Sequence, residues 1–114
     1  EDGYYYIVGR LKDMYISGGE NVYAAEIENC LHEHPAILEA AVVGVPDERW
    51  GEVGRAFLLP RPGMQLPDDA ELTAYCRQHL AAYKVPKQFR RVDDFPRTAA
   101  GKIQKHLLHT PGGD

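Results

Sequence analysis

Two short apolar runs joined by a turn constrain this chain more than any other stretch. Leu38 to Val45 and Val53 to Leu59 are dominated by alanine, valine and leucine, and Pro46-Asp47-Glu48-Arg49-Trp50-Gly51 between them has the composition of a turn. Neither run approaches the roughly 18–20 apolar residues that a membrane-crossing helix requires. Both lengths suit strands, and two such strands in succession predict a hairpin at the centre of a small sheet. A sheet of that kind must cover its apolar faces with other elements.

The flanking sequence supplies the covers. Ala24 to Glu33 places Ile27, Cys30 and Leu31 on one helical face and sets Glu26, Glu28 and Glu33 elsewhere, with acids near the favourable N-terminal end. His34-Pro35 closes that helix. Asp68-Asp69-Ala70-Glu71 has the form of a capping box ahead of Leu72, Tyr75, Cys76 and Leu80 at helical spacing. A strand is predicted over Gln88 to Val92, then a polar loop through Pro96 to Gly101 and a last short helix around Ile103 to Leu108. Near the start, Tyr4 to Val8 and Met14 to Ser17 read as short strands forming an N-terminal β-hairpin, the second ending at Gly18-Gly19. The fold class is α+β, with about three main strands and helices packed on the faces of the sheet.

In a chain of 114 residues, 44% apolar and 10% aromatic residues are ample for one core. The acidic, tyrosine-rich start has neither the basic head nor the apolar centre of a signal peptide, so a cytoplasmic protein with no membrane span is expected. Cys30 and Cys76 lie far apart in sequence on the two helices and read as core thiols. Cys30, His32 and His34, or Cys76 with His79, make poor metal sites: residues two apart on a helix diverge, and one Cys–His pair is half of a tetrahedral set. The net charge of −4 is unevenly spread, with 6 basic and 14 acidic side chains before residue 83 and 7 basic and 3 acidic from there on. A basic tail on an acidic body suggests an anionic partner. A stand-alone nucleic-acid module is the alternative of another class, but Lys84, Lys87, Arg90 and Arg91 interleave with too few aromatics for a stacking platform, and no nucleic acid is expected.

Two segments say more. Gly9-Arg10-Leu11-Lys12-Asp13-Met14-Tyr15-Ile16-Ser17-Gly18-Gly19-Glu20-Asn21-Val22-Tyr23, running into Glu26-Ile27-Glu28, and Pro96-Arg97-Thr98-Ala99-Ala100-Gly101-Lys102-Ile103-Gln104-Lys105 together resemble the adenylate-forming family of acyl-CoA synthetases, luciferases and peptide-synthetase adenylation domains. Pro46-Asp47-Glu48-Arg49-Trp50-Gly51-Glu52 and Tyr83-Lys84-Val85-Pro86-Lys87 fall in order between them, so the resemblance spans nearly the whole chain.

The resemblance implies that residues 1–11 are the tail of a large N-terminal domain and 12–114 a mobile C-terminal domain that rotates between two half-reactions. The large domain in cis would bind the carboxylic acid, ATP and most of the Mg2+; its phosphate loop has no counterpart here, so this chain alone is expected to be inactive. Lys102 would be the catalytic lysine of adenylation, with Gly101 lending backbone freedom. Arg10 would meet the nucleotide, and Lys12 would be the hinge. Gly18, Gly19 and Glu20 would border the pantetheine arm of coenzyme A, while Trp50, Tyr83, Lys84 and Lys87 would meet its nucleotide end. Val85 stands where some relatives place a phosphate-binding arginine, which leaves that contact to Lys84 or Lys87 and keeps open a relative that loads a carrier protein. Ala24 replaces a common proline at the first helical turn. Tyr4 to Val8, an apolar strand at the chain start, is expected to pair with Met14 to Ser17 or to self-associate with another copy.

Overall fold

The computed structural model describes residues 13–108. The expected hairpin is its centre: β3 (Ile37–Asp47) and β4 (Gly51–Pro60) pair antiparallel along their whole length. Before them come β1 (Met14–Ser17), β2 (Glu20–Tyr23) and helix α1 (Ala24–His32). After them come helix α2 (Asp69–His79), a 3-10 turn at Ala82–Lys84, strand β5 (Gln88–Arg91) and a final 3-10 turn at Lys105–Leu107. The sheet runs β2-β1-β4-β3, and β5 lies parallel to β4 from Arg55 to Leu58. Because β3 occupies one edge of β4 throughout, β1 (at Gly51) and β5 share the other.

The α+β class holds, with five strands rather than three main ones. The N-terminal hairpin is made by β1 with β2, closed by Gly18 and Gly19 at φ 59° and 85°. Two successive positive φ values are what a two-residue turn matching the strand twist demands, and glycine reaches them without strain. Tyr4 to Val8 lies outside the described residues. The last helix contracts to the 3-10 turn, because Ile103 instead bridges Arg97.

Alternate residues of β3 and β4 serve two cores, which is why both runs are apolar almost throughout. Ala40, Val42, Ala56 and Leu58 pack beneath Ile27 and Leu31 of α1 and Leu72 and Cys76 of α2. Ala41 and Phe57 face the other way, onto Phe95 and Leu108, with Val43, Leu59, Val92 and Ile103 around them. The C-terminal segment, not a helix, therefore covers the second face. Among the described residues no helix is long and apolar enough to cross a membrane.

The α2 start carries the full capping box: Glu71 N–H donates to Asp68 Oδ1 at 2.8 Å, and Asp68 N–H donates to Glu71 Oε1 at 3.2 Å. Asp68→Ala removes the first bond and its negative charge at the helix start. It should lower stability by about 1 kcal/mol, read as a melting temperature reduced by about 4–8 °C. No change in melting would mean that α2 is held by Leu72 and Cys76 alone.

Candidate functional site

The residues singled out in the sequence gather into two constellations on different elements. The first is a small hairpin that presents Lys102. Arg97 and Ile103 form an antiparallel bridge. Between them Thr98 N–H donates to the Lys102 carbonyl at 2.8 Å, Gly101 N–H donates to the Thr98 carbonyl at 2.8 Å, and Lys102 N–H donates to Thr98 Oγ1 at 3.1 Å. Gly101 closes the turn at φ 92°, so its freedom serves a fixed geometry rather than a loose loop. Ile103 turns into the second core, and the neighbouring Lys102 is exposed. Among the described residues no acid pairs with the Lys102 ammonium.

Both ends of that hairpin are tied down. Arg97 pairs with Glu39 of β3, reaches Asp94 at 3.5 Å and donates to the Gly101 carbonyl at 3.4 Å. Lys105, three residues past Lys102, pairs with Asp13 and Glu28. The sequence carried these ions in plain view, but partners 92 residues apart, as Lys105 and Asp13 are, leave no local signal.

The second constellation surrounds Trp50 in the β3–β4 turn. Asp47 Oδ2 accepts the N–H groups of Arg49 and Trp50, both at 2.9 Å, which shapes the turn. Gly18 N–H donates to the Trp50 carbonyl at 2.8 Å, and a Cβ on Gly18 would lie 2.9 Å from Trp50 Cε3. Only a residue without a side chain lets the ring rest on this backbone. Gly19 completes the exposed turn, and Glu20, also exposed, begins β2. Lys87 Nζ sits 5.3 Å from the Trp50 ring centroid and the Arg49 guanidinium 5.2 Å from it, so two cations face one half-exposed indole. No periodic or local signal marks Arg49, whose place beside Trp50 comes from the fold of the turn.

Tyr83 and Lys84 lie in the 3-10 turn that packs on β2. Lys84 Nζ is 2.9 Å from Glu26 of α1, and that hydrogen bond raises the lysine's pKa above its ordinary value. Lys87, by contrast, pairs with no acid among the described residues. Val85 is buried in the first core, so its position cannot present a cation to a ligand here. Arg10 and Lys12 lie outside the described residues.

The cysteine and histidine positions serve packing. Cys30 and Cys76 lie at the α1–α2 contact; burial pushes Cys76 up to about 12 and also raises Cys30, which is only half-buried. His32 Nε2 accepts Ala40 N–H at 3.2 Å and His34 Nδ1 accepts Ala36 N–H at 3.0 Å. Among the described residues no group of three His, Cys, Asp or Glu is arranged to hold a metal ion.

Comparison with known proteins matches this geometry to one family. A family model described as the AMP-binding enzyme C-terminal domain matches residues 26–102. A feruloyl-CoA synthase of Amycolatopsis sp is 54% identical over 104 residues, 91% of this chain and 21% of that protein. A methyl-dioxo-octahydroindenyl-propanoyl:CoA ligase of Rhodococcus jostii (strain RHA1) is 53% identical over 106 residues, 93% of this chain and 20% of that protein. Among solved structures, an o-succinylbenzoate CoA synthetase of Bacillus subtilis in complex with its acyl-adenylate intermediate superposes with a TM-score of 0.77 at 42% identity, covering 87% of this chain and 20% of that one. The chain thus spans about a fifth of the length of the curated relatives it matches.

Proposed function

We propose, since the chain belongs to the family of AMP-binding enzyme C-terminal domains, that it acts as the mobile domain of an ATP-dependent acyl-CoA synthetase whose larger N-terminal domain lies in the same polypeptide. The reaction converts a carboxylic acid, ATP and coenzyme A into acyl-CoA, AMP and pyrophosphate. In the first half the substrate carboxylate attacks the α-phosphate and pyrophosphate leaves; in the second the coenzyme thiol attacks the acyl carbonyl and AMP leaves. The observation that carries this reading is the presence of two separate constellations, one suited to each half, on a chain more than half identical to two CoA ligases.

Lys102 suits the first half. Negative charge is shared between carboxylate and phosphate oxygens in that transition state, and an exposed ammonium that no acid among the described residues engages suits it. Arg10 is assigned to the nucleotide and Lys12 to the hinge between the two orientations. The Trp50 patch suits the second half: in the Gly18-Gly19 turn Gly18 seats the Trp50 ring and the open space at Gly19 admits a thin pantetheine arm beside Glu20, while Trp50 and Tyr83 offer aromatic faces to adenine. Of the two lysines, Lys87 is the better phosphate partner, because Glu26 already engages Lys84. Mg2+ enters with ATP, outside this domain. Alone, the domain carries one wall of each site and is inactive.

Replacing Trp50 tests the second assignment in the full-length synthetase. Trp50→Ala should raise the KM for coenzyme A about tenfold, within the range for losing one aromatic–base stack, and leave acyl-adenylate formation unchanged. An unchanged KM for coenzyme A, with free pantetheine used equally well, would instead support a synthetase that loads a carrier protein.

A further inference from the structure

Lys105 has no part in the roles above, yet it stands between two carboxylates from different parts of the domain. One ammonium serves two carboxylates: Asp13, and Glu28 at 2.6 Å. The same Glu28 oxygen accepts the Val42 N–H of β3 at 2.9 Å, which fixes that carboxylate against the central sheet. Asp13 directly precedes β1, and its carbonyl accepts the Ala24 N–H that starts α1 at 3.1 Å. At φ 35° it is also the positive-φ residue other than glycine among those described, a conformation that persists only where surrounding contacts enforce it. On the other side, Gln104 N–H donates to the Pro96 carbonyl at 2.8 Å, so the backbone leading to Lys105 is part of the base of the Lys102 hairpin.

We propose that Lys105 is a positioning residue: its bridge from Asp13 to Glu28 ties the Lys102 hairpin to the end of the linker, so that the backbone torsion entering the domain also sets where the Lys102 ammonium lies. The inference rests on the assignment of Lys102 to adenylation and of position 12 to the hinge. Without the ammonium, Asp13 and Glu28 become two uncompensated carboxylates facing one gap, and their repulsion releases Asp13 from its constrained conformation. The hairpin keeps its Arg97 anchor and its Ile103 packing but loses its registration with the linker. Arginine, with more donors in a planar fork, can span the same two acids.

The test uses the full-length synthetase with the two half-reactions measured separately. Lys105→Met should slow acyl-adenylate formation by about ten- to a hundredfold, the scale of a misplaced catalytic group, and leave thioester formation from supplied acyl-adenylate and coenzyme A near the normal rate. Lys105→Arg should restore most of the first rate. In an Asp13→Asn background, Lys105→Met should do much less than in the native protein, because the two changes break one bridge. Hydrogen exchange over residues 97–103 should quicken in Lys105→Met and return to normal in Lys105→Arg. Full adenylation activity in Lys105→Met, in an enzyme that Lys102→Ala does slow, overturns the positioning role and leaves the assignment of Lys102 standing. Equal loss of both steps, not restored by arginine, makes Lys105 a structural residue and also overturns it. If Lys102→Ala itself leaves adenylation intact, the assignment of Lys102 fails first and the positioning role falls with it.

Discussion

Gly54→Ala will destabilise the domain by about 3 kcal/mol, the upper end of what overpacking a core produces, and reduce the melting temperature by more than about 10 °C. Gly44 and Gly54 are paired neighbours in β3 and β4, and together they leave a bare patch on the sheet that the Tyr15 side chain fills. A Cβ on Gly44 would stand 2.5 Å from Tyr15 Cβ, and one on Gly54 would overlap the Tyr15 hydroxyl. Tyr15 is 5% exposed, and burial raises its hydroxyl pKa above the ordinary tyrosine value. The contact does more than fill space: it seats β1 on the central hairpin, and β1 carries the Gly18-Gly19 turn to Trp50. The clash also has an address. Tyr15→Phe removes the overlapping oxygen and should recover much of the loss in Gly54→Ala, whereas Gly44→Ala meets Tyr15 Cβ and should gain nothing from it. Equal rescue of both variants, or a melting temperature unmoved by Gly54→Ala, would show that Tyr15 does not occupy this slot.

That slot marks the limit of what local sequence conveys. The Ala/Val-rich runs, the turn at Pro46–Gly51 and the Asp68–Glu71 box are periodic or local signals, and each produced the expected element within a residue or two. Strand β2 escaped as a separate strand because Glu20-Asn21-Val22-Tyr23 buries Val22 alone, too little in four residues to show an alternation. The parallel seating of β5 on β4, the cover that Phe95, Ile103 and Leu108 form over the second face, and the Tyr15 slot all join residues distant in sequence.

The candidate site divides in the same way. Gly18, Gly19, Trp50 and Lys102 stood out because whole segments resembled one family, and the fold does bring Gly18, Trp50 and Lys87 into one patch. The Glu26 partner of Lys84, the burial of Val85 and the Arg97 and Lys105 anchors belong to tertiary geometry. The loop through Pro96 to Gly101, read as polar and free, is a tied hairpin because its ions find partners on β3 and α1 and at Asp13. On the proposed assignment, a hairpin tied in this way would bring Lys102 to the reacting groups by movement of the whole domain.

Lys102→Ala should therefore slow acyl-adenylate formation by at least about a hundredfold, the scale of losing one preorganised donor to transition-state charge. The loss should be specific to that half-reaction, since Lys102 sits on the hairpin covering the second face of the sheet while the Trp50 patch lies in the β3–β4 turn against β1. Stability should be untouched: the Lys102 side chain is exposed, and the bonds closing the hairpin use its backbone. Lys102→Arg keeps the charge but replaces a compact ammonium with a broad fork, and it should recover little of the rate.

The most direct measurement takes both rates from one Lys102→Ala preparation of the full-length synthetase: pyrophosphate release from ATP and the carboxylic acid, and acyl-CoA formation from supplied acyl-adenylate and coenzyme A. A first rate reduced by at least about a hundredfold beside a second near normal is the predicted result; equal damage to both rates, or none to either, would contradict the division of the two half-reactions between the Lys102 hairpin and the Trp50 patch.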